Sequence, residues 1–147
     1  MDYNDLKGKK AAEVVQSFMS ISKTLAKFTQ QNAESLDLTL QQLGILNTIY
    51  SSPLIIFKEI TENLLISKST ATVSVDELVN LGLIELKSSE DDRHEINMTL
   101  TDQGKEISKK SIQTPASYNA MISALEKIST EDVDTLLRIH KELSKLL

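Results

Sequence analysis

The chain of 147 residues has no cysteine and no tryptophan, and only four glycines, two prolines and two histidines. Without cysteine there is no disulfide scaffold, no thiolate nucleophile and no thiol-based redox sensing. Four scattered glycines leave no Gly-rich loop to cradle a phosphate. His94 and His140 lie far apart in the sequence, outside any ligand spacing such as His-Glu-x-x-His, so no metal site is expected. The paired acids Asp91-Asp92 and Glu131-Asp132 fall in a turn and in the first turn of a helix, where acids suit the helix dipole. No nucleophile–base arrangement is recognisable, and neither an enzymatic activity nor a cofactor is expected. No run approaches the roughly 18 apolar residues that cross a bilayer. The polar stretch from Met1 to Lys10 lacks the apolar core of a secretion signal. These absences predict a soluble, cytoplasmic protein that does not engage a membrane. With aromatics at 4% and a hydrophobic content of 40%, Leu and Ile must build the core of one domain with helical extensions.

The stretch from Leu81 to Gly104 organises what is there. Ile96, Met98 and Leu100 alternate with Glu95, Asn97 and Thr99, the period of a half-buried strand. Leu83, Ile84 and Leu86 form a second short apolar run, and the segment Lys87 to His94 between them is polar and charged. Two strands joined by a charged turn make a β-hairpin that projects into water. Gly82 ends a helix just before it, and Thr101-Asp102 can cap another just after it. A lone charged hairpin between helices is a wing.

Helical periodicity covers the rest. From about Lys9 to Asn32, Val14, Phe18, Ile21, Leu25 and Phe28 recur at helical steps. Thr39 with Gln42 forms a capping-box pattern for a helix to about Ser51, with Leu43, Leu46 and Ile49 inward. Ile55 to Leu65 reads as a short helix burying Phe57, Ile60 and Leu64. After a turn at Ile66-Ser67, Ser67 caps a helix from Lys68 to Leu81, whose buried face is Ala71, Val75, Leu78 and Val79. Two short helices joined by so tight a turn form a helix-turn-helix. Its second helix leaves Ser67, Lys68, Ser69, Thr70, Thr72 and Val73 exposed, where a recognition helix meets base edges and phosphates. Thr101 to about Ile112 is predicted helical. Thr114 then caps a further helix with Pro115 at its first position and Tyr118, Met121, Ile122 and Leu125 along it. Ser129-Thr130 starts the last helix, striped by Val133, Leu136, Leu137, His140, Leu143 and Leu147. His140 on that stripe reads as an interface histidine. These terminal helices are too apolar on one side to stand alone.

Charge runs against this picture. The net charge is −5, and the segment from Ile55 to Leu100 carries all of it, with four cations (Lys58, Lys68, Lys87, Arg93) against nine anions.

In order along the chain, Leu81-Gly82-Leu83-Ile84, Asp91-Asp92-Arg93-His94 and Leu100-Thr101-Asp102-Gln103-Gly104 resemble the wing of the MarR family of bacterial transcriptional regulators. The likeness reaches upstream to about Leu38 and, more loosely, across the whole chain. It implies a mainly α fold with a small β-hairpin wing (α+β), a winged helix-turn-helix with N- and C-terminal dimerisation helices. The expected organisation is an N-terminal dimerisation helix over 1–36, a DNA-binding domain over 37–101 and C-terminal dimerisation helices over 102–147. The implied partners are a second copy of the chain and double-stranded DNA. A homodimer would present its two recognition helices about one DNA turn apart, roughly 34 Å, to a pseudo-palindromic operator. Such proteins mostly repress. They are released when a small-molecule effector fills a crevice, expected here between the first, second and penultimate helices.

The resemblance also implies roles. Arg93 reaches toward the minor groove, Asp92 holds the wing turn and Lys87 meets a phosphate. His94 stands where relatives carry a second Arg, and Glu85 where they often have Arg. Val73 and Glu77 replace basic residues of the recognition helix, and relatives often have glycine near Leu65. The expected DNA contacts are therefore Ser67, Lys68, Ser69, Thr70, Thr72, Val73, Lys87, Arg93 and His94. The acidic segment and the departures at Val73, Glu77, Glu85 and His94 keep a second reading open, a winged-helix module that binds protein and binds DNA weakly or not at all.

Overall fold

A computed structural model describes residues 5–88, 96–113 and 115–147. Within them the elements run α1 (Leu6–Ser35), α2 (Leu40–Ser51), α3 (Phe57–Leu64), α4 (Lys68–Asn80), β1 (Ile84–Ser88), β2 (Ile96–Leu100), α5 (Asp102–Gln113), α6 (Ala116–Leu125) and α7 (Thr130–Leu146). The mainly α architecture with one hairpin is the expected one.

Local chemistry explains most of the boundaries. Asp5 caps α1 by accepting from the Lys7 N–H at 3.3 Å, so that helix starts three residues earlier than its apolar periodicity suggests. The capping box of α2 is closed on both sides. The Gln42 N–H donates to Thr39 Oγ1 at 3.1 Å, and the Thr39 N–H donates to Gln42 Oε1 at 3.0 Å. Ser67 and Ser129 cap α4 and α7 through the Thr70 and Asp132 N–H groups. α6 corrects the sequence reading, because Pro115 takes the cap position itself and the helix begins at Ala116; Thr114 lies outside the described residues.

α1, α3 and α4 share one ending. After each, a residue with positive φ lets the next N–H groups reach back to the last turn, in the two-bond pattern of a Schellman motif. Gly82 (φ 73°) fills that place after α4, Asp37 (φ 57°) after α1 and Leu65 (φ 53°) after α3. The bonds after α4 are Gly82 N–H to Val79 O and Leu83 N–H to Leu78 O, both 3.0 Å. Those after α3 are Leu65 N–H to Glu62 O at 3.4 Å and Ile66 N–H to Thr61 O at 3.2 Å. The turn of the helix-turn-helix thus keeps the left-handed backbone that glycine would favour, although leucine stands there.

β1 and β2 pair antiparallel, Ile84 opposite Leu100, Leu86 opposite Met98 and Ser88 opposite Ile96. One face carries Ile84, Met98 and Leu100 into the core, and the other presents Glu85, Lys87, Asn97 and Thr99 to water. Ile96 and Leu86 share the apolar face but sit further out along the hairpin, past the core, and are exposed.

The hairpin's root is a knot between its two flanking motifs. The Thr101 hydroxyl donates to Gly82 O at 2.6 Å while accepting from the Gly104 N–H at 3.1 Å, and the Thr101 N–H donates to Leu83 O at 3.1 Å. Gly104 packs so tightly here that a Cβ on it would run into the carbonyl oxygen of Leu83. The Leu-Gly-Leu and Leu-Thr-x-x-Gly segments are therefore two sides of one joint, which explains the residue types found there.

The core is built from residues 33–100. Leu43, Ile45, Leu46, Ile49, Ile60, Leu78, Leu83 and Ile84 are its most enclosed members. Ile45, which the stripe read from the sequence leaves out, is fully buried. A polar seam joins α1, α2 and α5. The Ser111 hydroxyl donates to Asn47 Oδ1 at 3.0 Å, and Asn32 Nδ2 donates to Ser111 O at 3.4 Å. Outside that core the helices are bare. α6 and α7 bury no residue, and α1 buries only Gly8 and Ala33. α6 packs along α1, and His140 of α7 lies with its ring centroid 4.9 Å from that of Phe18. The stripe of α1 expected to be buried is exposed at Val14, Phe18 and Ile21 and half-buried at Leu25 and Phe28.

Candidate nucleic-acid interface

Packing on one side and exposure on the other define α4. Ala71, Ser74, Val75 and Leu78 turn into the core, while Ser67, Lys68, Ser69, Thr70, Thr72 and Val73 are all exposed. The expected N-terminal face is thus bare, at the end where free N–H groups and the helix dipole favour an anion.

Its hydroxyls are already engaged. Ser67 Oγ accepts from the Thr70 N–H at 3.1 Å and donates to Thr70 Oγ1 at 2.8 Å. Ser69 Oγ lies 3.1 Å from Ser67 Oγ, and Thr72 Oγ1 donates to Lys68 O at 2.8 Å. The hydroxyl row serves the cap as well as offering acceptors outward.

β1 packs against α4 and carries Lys87 on its water-facing side. Among the described residues neither Lys68 nor Lys87 enters an ion pair. Two of the expected contacts, Arg93 and His94, lie outside the described residues, as does Asp92.

Glu77 has a partner within the chain. Gln42 Nε2 donates to Glu77 Oε2 at 2.6 Å, so this exposed carboxylate ties α4 to the start of α2. Gln42 is buried and bonds at both ends of its amide, to the cap of its own helix through Oε1 and to Glu77 through Nε2. Nothing in the periodicity of either helix signals a partner 35 residues away. Two further acids of this segment also have local partners. Glu59 accepts from the Ile56 N–H at 3.1 Å, and Glu62 sits 3.9 Å from Lys58. Three of the nine anions thus have local partners, while the segment keeps its excess of acidic charge, because two of the partners are neutral and the third, Lys58, is one of its four cations.

Two apolar grooves of about 230 Å³ each flank these elements. One is lined by Ile49, Tyr50, Pro53, Met98, Leu100 and Lys105, the other by Phe57, Thr72, Val75, Leu86 and Ile96. Neither is lined from α1 or α6, where the effector crevice is expected, and both are smaller than the roughly 300–1,000 Å³ typical of ligand pockets.

A helix-turn-helix whose second helix is bare at its N-terminal half, with a hairpin packed beside it, is a winged helix-turn-helix. The MarR family model matches residues 36–94. The multiple antibiotic-resistance repressor MarR of Listeria monocytogenes is 32% identical, with a TM-score of 0.72 and 97% of each chain covered. A MarR family protein of Bacillus stearothermophilus is 19% identical, with a TM-score of 0.78 over 93% of this chain and 94% of that one. A MarR family transcriptional regulator of Listeria monocytogenes, solved in complex with a 26mer DNA, is 19% identical, with a TM-score of 0.72 over 89% of this chain and 86% of that one. The last two likenesses concern the fold alone. Among curated proteins nothing matches the chain significantly. Identity of 32% over nearly the whole length, together with the family match, shows that the chain belongs to the MarR family of winged-helix transcriptional regulators.

Proposed function

We propose that the chain acts as a homodimeric repressor that binds a pseudo-palindromic operator in double-stranded DNA and is released by a small-molecule effector. The observation that carries this is the coexistence in one subunit of two unpartnered surfaces of opposite chemistry. One is the bare N-terminal face of α4 with Lys68, beside the hairpin with Lys87. The other is apolar: Phe18 and Ile21 of α1, Tyr118 and Ile122 of α6, and Leu136 and Leu137 of α7 are all exposed. So large an exposed apolar surface marks an association site, and a two-fold axis through it pairs like with like. Residues 1–36 and 102–147 then dimerise, and 37–101 bind DNA through Ser67, Lys68, Ser69, Thr70, Thr72, Val73 and Lys87, with Arg93 and His94 in the wing. The effector acts by changing the spacing of the two winged domains.

The test is fluorescence polarisation on the DNA upstream of the chain's own coding region. Binding should be specific and weaken with salt. Each lost phosphate contact lowers the slope of log K against log salt by about 0.9, so Lys87→Ala should lower it by about two in the dimer. Arg93→Ala should weaken binding to every sequence, and Thr72→Ala should alter sequence preference. If none of the three changes an observed complex, the contacts are misassigned. The exposed acids Asp76 and Glu85 favour the protein-binding reading, and failure to bind any duplex even at low salt would establish it over repression.

A further inference from the structure

We infer that α4 reads operators through a thymine methyl group, with Val73, beside Thr72, as a specificity-determining side chain; this rests on the proposed DNA-binding function and names the base it selects. Bidentate recognition in the major groove uses Arg or Lys for guanine and Asn or Gln for adenine. Along α4 the residues of these kinds are Lys68 and Asn80: Lys68 stands in the first turn, where a phosphate is the natural partner, and Asn80 is the last residue of the helix, at the end opposite the bare N-terminal face. Two of the neighbouring hydroxyls donate within the helix, Ser67 to Thr70 and Thr72 to the Lys68 carbonyl, and offer a base their oxygens as acceptors. Asp76, one turn further, brings only an acceptor.

Val73 remains. It is 57% exposed, one turn beyond Ser69 and on the side of α4 away from Ala71, Val75 and Leu78. A β-branched side chain at a bare mid-helix position is inferior to alanine for helix formation, and no contact within the core compensates for it there. Its isopropyl group is the largest apolar surface that the exposed face offers to a base edge, larger than the single methyl of Thr70 or Thr72. The one apolar group a base pair shows in the major groove is the C5 methyl of thymine.

The experiment selects bound duplexes from a random pool with the full-length protein. It then replaces each half-site thymine in turn by uracil, which removes the methyl and keeps every hydrogen bond. Burial of one methyl group corresponds to about fourfold in affinity. One thymine per half-site should therefore weaken binding about fourfold when one half-site is changed and about fifteenfold when both are. Val73→Ala should lose a similar factor on the thymine duplex and bind thymine and uracil duplexes alike, with Val73→Thr, which keeps one methyl, between the two. Wild-type protein that binds both duplexes equally overturns the inference, and so does a V73A variant that keeps the wild-type ratio. A pool from which no duplex is enriched overturns the DNA-binding reading itself.

Discussion

Leu65 holds a left-handed backbone at φ 53° and ψ 41° while its side chain is 91% exposed. An L-residue with a Cβ loses about 1–2 kcal/mol in this conformation relative to the right-handed region, a loss that glycine avoids. Glycine in turn destabilises through the extra freedom of its unfolded chain, by about 0.4–1 kcal/mol. Because Leu65 touches little, almost no burial is lost on truncation. Leu65→Gly should therefore stabilise the fold by roughly 0.5–1 kcal/mol, and for a chain of this size that raises Tm by about 1–4 °C. The assay is thermal unfolding followed by circular dichroism at one fixed protein concentration, since association shifts apparent stability. Gly82→Ala is the internal control. At φ 73°, with nothing within 4 Å of the position its Cβ would take, the alanine meets backbone strain alone, partly offset by the freedom its unfolded chain loses, and should destabilise by roughly 0.5–1 kcal/mol. Asp37→Gly should gain less than Leu65→Gly, because Asp tolerates this region. A Leu65→Gly variant that melts at or below the wild-type temperature, beside a destabilised Gly82→Ala, would refute the strain argument.

Gly104→Ala forces a Cβ against the Leu83 carbonyl and should destabilise by about 1–3 kcal/mol, read from urea denaturation. Glu77→Gln keeps a partner for Gln42 and should bind DNA nearly as well as wild type, whereas Glu77→Leu should weaken binding several-fold although no contact to the duplex is removed. Comparing the two by polarisation separates positioning of α4 from loss of a DNA-facing acid, because an acid in the interface would make both variants bind more tightly. Leu137→Glu alters a side chain that is 61% exposed in the single subunit; light scattering should show a folded monomer, and DNA affinity should fall with it.

Much of this arrangement is legible in the sequence where the cause is local. Thr39 with Gln42, Ser67 and Ser129 announce their helices because a cap is a contact three residues long. The hairpin register follows from the alternation of Ile96, Met98 and Leu100. The Leu-Gly-Leu and Leu-Thr-x-x-Gly segments are recognisable by resemblance, but their reason, the close approach of Gly104 to the Leu83 backbone, exists only once the chain folds. The partner of Glu77 is not legible, because an acid's position on a helix does not reveal that a buried amide 35 residues away bonds to it. The left-handed backbone at Leu65 is hinted at only by the glycine that relatives often carry near it, because leucine itself carries no signal for that conformation. The stripes of α1 and α7 are legible as apolar surfaces, yet periodicity cannot say whether the same chain or a second copy covers them.

In the proposed function, two subunits joined through α1, α6 and α7 set two α4 helices against one duplex. Multi-angle light scattering of the protein with an enriched duplex measures this directly. A dimer in the absence of DNA and a complex of two chains per duplex are expected; a monomer that binds duplex one to one, or a dimer that binds none at low salt, would show that the subunits do not work in this way.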